Sequence, residues 1–91
     1  MTIIGTLLDG RTIVKTTHVQ VVPAGTVWLE VTVPELKHID AVLNVQVEDT
    51  DPKTYAYGPQ HKTIVGNVVG ISLQEVGATT TLTLEVVTIG Y

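Results

Sequence analysis

The segment GTVWLEVTV, Gly25 to Val33, alternates without a break. Val27, Leu29, Val31 and Val33 fall on one side; Thr26, Trp28, Glu30 and Thr32 fall on the other. A period of two is the mark of a strand with one buried face. The rest of the chain uses the same vocabulary. It holds 16 Val, 15 Thr and 7 Ile, so 38 of its 91 residues are β-branched. Such side chains are stiff at χ1 and fit a pleated surface better than a helix. There is no Phe and one Met, which leaves medium aliphatic side chains to build the core.

Turn signals punctuate the strands at short intervals. Asp9-Gly10 marks a tight turn, and VPAGT (22–26) sets Pro23 at a first central turn position with Gly25 two residues later. EDTDPKT (48–54) reads as a polar loop, YGPQH (57–61) contains Gly-Pro, VGNV (65–68) suits a two-residue hairpin, and EVGAT (75–79) makes the last turn. The expected strands are 2–8, 12–22, 26–33, 40–48, 61–65, 68–74 and 79–89. About seven short antiparallel strands with such spacing predict a single all-β domain over residues 1–91, a small β-sandwich or β-barrel. Pro34 ends its strand, so residues 34–39 are expected to form a short crossover between sheets.

The expected inward rows are Val27, Leu29, Val31 and Val33; Leu43, Val45 and Val47; Val69, Ile71 and Leu73; and Leu82, Leu84 and Val86. Val19 and Val21 make a fifth. At Val86-Val87 the pattern slips, which places Val87 and Ile89 on the opposite face. A β-bulge, or a strand covered on both sides by a neighbouring chain, accounts for that.

The formal net charge is −4 and only 15% of residues are charged, against about 25% for an ordinary soluble domain. A small, weakly charged, Thr-rich chain is poorly protected against association. The five cationic residues are scattered, which argues against nucleic acid as a partner. The absence of cysteine excludes disulfides and thiolate metal sites. MTIIGTLLDGR lacks the features of a secretory signal, and no run approaches the roughly 20 apolar residues of a membrane helix. The expectation is a protein made in a cytoplasm, with no membrane partner.

No catalytic, cofactor or metal site emerges. His18, His38 and His61 have no ligand spacing and read as surface or interface residues. Glu48, Asp49 and Asp51 alternate like the start of a calcium loop, yet no glycine or distal glutamate follows in place, so they read as an exposed turn. Ser72, the sole serine, lies mid-strand without a nucleophile context. Glu30, Glu48 and Glu85 fall on outward faces, where carboxylates serve solubility. The expected protein is not an enzyme and has no cofactor.

Trp28, on the face expected to meet water, has three readings. It is a lid over one end of the core, an anchor in a protein interface, or, with Tyr55 and Tyr57, part of a carbohydrate platform. Trp28, Val42, Val87, Ile89 and Tyr91 are the expected interface residues, because each is apolar and opposite a core row. Tyr55 and Tyr57 join them from a loop tip. The apolar ending VTIGY is expected to be docked.

GTVWLEVTVPELKHIDAVLNVQV (25–47), HKTIVGNVVGISL (61–73) and TLTLEVVTIGY (81–91) together resemble small structural proteins of tailed-bacteriophage virions. Those proteins are similar in their Gly-Thr start, valine strand, Pro-containing crossover, IDAV, GN-V hairpin and closing Ile-Gly-Tyr. Residues 1–24 and 49–60 lie outside the resemblance. It implies a non-enzymatic virion protein assembled in the host cytoplasm. The implied role is capsid decoration or cement, bridging major capsid protein subunits as a homo-oligomer. A tail or neck ring component is the alternative within that class, and a carbohydrate-binding β-sandwich module is the alternative outside it. The resemblance assigns a role to no individual residue.

Overall fold

The computed structural model describes residues 2–6, 9–50, 53–55 and 58–91, with side chains for 5–6, 9–49 and 58–91. The domain is all-β. Its strands are β1 (Thr2–Thr6), β2 (Thr12–Val22), β3 (Trp28–Thr32), β4 (Ile39–Thr50), β5 (Lys53–Tyr55), β6 (Gln60–Val65), β7 (Val68–Ser72) and β8 (Thr80–Gly90). Each of the seven expected segments holds a strand; residues 7–8 of the first lie outside the described residues, and β3 and β7 are shorter than expected. The addition is β5: the expected polar loop at 48–54 is instead the end of β4 folding back onto β5, with Glu48 opposite Tyr55. The turn at 23–26 begins one residue later than expected, because Thr26 N–H and Oγ1 both donate to the Pro23 carbonyl, at 3.3 and 2.7 Å.

Two antiparallel sheets face each other. The larger has the order β1-β2-β8-β4-β5 and the smaller β3-β7-β6. Residues 33–38 carry the chain from β3 in one sheet to β4 in the other, the expected crossover. It is a turn rather than a helix: Leu36 N–H donates to the Val33 carbonyl at 3.1 Å. The tip of the β6–β7 hairpin clasps both its ends. Val33 N–H donates to the Asn67 carbonyl at 2.8 Å, and Ile39 N–H to the Gly66 carbonyl at 2.9 Å.

The core is aliphatic. Val14 and Val22 of β2, Val47 of β4, and Leu82, Leu84 and Val86 of β8 line the large sheet. Leu29, Val31, Val69 and Ile71 face them from the small sheet, with Val33, Leu36, Leu73 and Val76 from its flanks and Ile39 from the start of β4. Burying each such side chain is worth about 1.5–3 kcal/mol before conformational entropy is subtracted.

Several expected inward positions lie elsewhere, for reasons visible in the ladders. Val19 and Val21 are 61% and 65% exposed. β2 pairs with β8 from Thr12 to Val22 without a register shift. An unbroken strand cannot change faces, so burial of Val14 and Val22 sends the odd-numbered residues outward. The expected slip in β8 is absent too; the irregularity lies in its neighbour. β4 shifts register between Ile39 and Ala41 and between Val42 and Asn44. The second shift expels Leu43, which is exposed, while Val42 and Val45 pack against the core. Val27 precedes β3 and is also exposed.

Candidate interaction surfaces

Trp28 stands on the outer face of the small sheet, opposite Ser72 in register, with Glu30 opposite Gly70. Its indole reaches diagonally across β7. A Cβ added at Gly70 would collide with the ring and with the Thr63 hydroxyl of β6. The ring therefore spans all three strands, and Gly70 is buried beneath it. This resolves its place on the wet face: it covers a glycine gap rather than the end of the core. It stays 41% exposed. Val65, the most exposed valine, lies on the same outer face.

Val87 is half-buried on the outer face between Lys15 and Asn44, as expected. Val42, expected opposite the core row, is instead half-buried against the core, because the shift between Val42 and Asn44 turns Leu43 outward. Ile89 lies opposite the core row, as expected, but is covered there. It is only 9% exposed, because Ile13 and Ala41 flank it on neighbouring strands. A residue so covered offers little to a partner. Tyr55 lies in β5 with its side chain outside the described residues, and Tyr57 lies outside them altogether.

The docked ending is as expected. Tyr91 exchanges backbone hydrogen bonds with His38, donating at 3.0 Å and accepting at 2.9 Å, and accepts another from Lys37 at 2.8 Å. Its ring remains 62% exposed and tilts against the His38 imidazole, with centroids 5.2 Å apart. His38 Nε2 also approaches Asp40 Oδ1 at 3.5 Å. Gly90 is needed beside this crossing, because a side chain there would strike the His38 carbonyl and the Ile39 Cα.

The three histidines do not converge. His18 hydrogen-bonds Gln20 Oε1 at 3.1 Å, His38 sits beside Tyr91, and His61 lies on exposed β6. Among the described residues no group of three or more His, Asp or Glu could hold a metal. The acidic stretch is not a shared loop: Glu48 faces outward, whereas Asp49 is buried and accepts a 2.7 Å hydrogen bond from Thr80 Oγ1. Asp51 lies outside the described residues. A groove of about 420 Å³ runs between β4 and the start of β6, lined by Val42, Leu43, Asn44, Val45, Pro59, Gln60 and His61.

Sequence reasoning missed the exposed pair Val19 and Val21 by giving β2 the wrong phase. Counting eight residues from Val14 to Val22 would have placed it. These features define a small all-β domain of two facing sheets with exposed apolar side chains on both. In comparisons with known proteins, no family model, no curated protein and no solved structure matches the chain.

Proposed function

We propose that this chain is a non-enzymatic virion structural protein, a decoration or cement protein that binds the major capsid protein across subunit seams and associates with its own copies. The observation that carries the reading is the set of exposed apolar side chains Val19, Val21, Trp28 and Val65 on sheet faces and Tyr91 just past β8, in a chain with 15% charged residues. Apolar side chains held out on rigid strands suit burial against another protein. The resemblance of residues 25–47, 61–73 and 81–91 to small virion proteins supplies the partner. A tail or neck ring would use the same surfaces.

The test is mass spectrometry of gradient-purified particles from a phage that encodes this chain. The expected result is many copies per particle, fixed in ratio to the major capsid protein. Particles lacking it, or a few copies that follow tail proteins when heads and tails are separated, would overturn the decoration role.

The half-exposed Trp28 ring also favours a second reading, a carbohydrate-binding module. A glycan array with wild type and Trp28→Ala tests it. Sugar binding lost in the variant would support that reading; no binding by the wild type would remove it.

A further inference from the structure

We infer that the edge of β2 from Thr16 to Val22 pairs antiparallel with the same edge of a second copy, around a twofold axis at Val19. This deepens the self-association part of the reading above and does not depend on the capsid.

β2 is bonded along its whole length to β8, but on its other side β1 covers only Thr12–Lys15. Among the described residues no strand pairs with the other side of Thr16–Val22. An open edge presents a row of unpaired N–H and C=O groups, and proteins that stay apart protect such edges with charge, proline, bulges or brevity. The remaining edges carry those devices. β1 is five residues long and shifts register between Ile3 and Gly5. β6 has Pro59 before it, Lys62 within it and a register shift between His61 and Thr63. β4 is shifted at two places beside Asp40 and Leu43. β3 has Glu30 at its centre, and β5 is three residues long. Thr16–Val22 has no charge, no proline and no bulge.

The stretch also complements itself. A twofold at Val19 sets Val19 against its copy, Thr17 against Val21, His18 against Gln20 and Thr16 against Val22. The exposed valines meet on the outer face. The His18 and Gln20 side chains, already bonded to each other at 3.1 Å, meet their counterparts on the inner face. No like charges face each other. The match ends where it must: the next residue is Pro23, which cannot donate, and Lys15 opposite it is already paired with Thr2 of β1. Two five-stranded sheets then become one continuous sheet.

The test is light scattering of the full chain over a concentration series. The expected result is twice the chain mass, falling to a single mass on dilution. Val19→Lys places two ammonium groups at the axis. It is expected to weaken the dimer by about tenfold or more while leaving the thermal melt of the diluted monomer unchanged. Val19→Cys adds the only thiol to a cysteine-free chain, and under mild oxidation it should form a linked dimer much faster than Val65→Cys, which lies on the other sheet and is the more exposed of the two. A wild type that is monomeric at every concentration would overturn the inference. So would a dimer indifferent to Val19→Lys, or equal cross-linking at positions 19 and 65.

Discussion

The Trp28 ring and the missing side chain of Gly70 occupy complementary space on the outer face of the small sheet. The indole fills the place where a Cβ would stand, and the Thr63 hydroxyl closes the far side. A glycine in mid-strand weakens a sheet, and a neighbouring aromatic ring restores cover to its backbone. Gly70→Ala should therefore cost about 1–3 kcal/mol through displacement of the ring. Trp28→Ala should cost about 1–2 kcal/mol, since the ring is only partly buried, and leave the fold intact. In a double-mutant cycle, Gly70→Ala should cost measurably less once Trp28 is gone. The sole tryptophan makes emission wavelength a direct readout, with Gly70→Ala expected to shift it to the red.

A substitution at Gly90 meets no such soft neighbour. Its Cβ would press on the His38 carbonyl and Ile39 Cα, both backbone. Gly90→Ala should lower stability by about 3 kcal/mol, a fall in melting temperature of roughly 10 °C or more for a domain of this size. An unchanged melt would mean that the crossing is looser than described.

Thr16 offers the opposite case. Its hydroxyl is buried and, among the described residues, finds no hydrogen-bond partner. Valine has nearly the same shape and no polar atom to desolvate. Thr16→Val should raise stability by about 1 kcal/mol in thermal or urea unfolding. A loss would show that the hydroxyl is satisfied in solution.

Asp9 is held below the ordinary aspartate range, first by the backbone N–H of Arg11 and also by its guanidinium, at 3.1 and 2.8 Å. The folded state thus prefers the ionised form. Its contribution is present above the usual aspartate range and fades as pH falls through the lowered value. In an NMR titration, Arg11→Gln should keep most of the depression, because the backbone donor remains. Full return to the ordinary value would assign the effect to the guanidinium instead.

Much of this architecture was legible because turn chemistry and alternation are local. The crossover after Pro34, the two-residue hairpin at Gly66-Asn67 and the inward rows of β3, β7 and β8 follow from neighbouring residues. What was not legible depended on partners distant in sequence. The outward turn of Val19 and Val21 depends on register with β8, and the inward row of β2 hides this by including His18 and Gln20. The expulsion of Leu43 depends on bulges opposite Val87–Gly90. Trp28 looked misplaced because the glycine it covers is 42 positions away, on another strand.

The order of the large sheet bears on how the chain is made. β8, the last strand in the sequence, occupies its centre, between β2 and β4. A nascent chain emerging from the ribosome has β2 and β4 in hand long before the strand that joins them. Until residues 80–90 emerge, two long valine-rich strands wait with no native neighbour on their inner sides. Folding then waits on pairings distant in sequence, which makes it slow and leaves it exposed to aggregation. Early release, slow translation or crowding of unfinished chains should therefore harm the yield of this protein more than that of a helical domain of equal length.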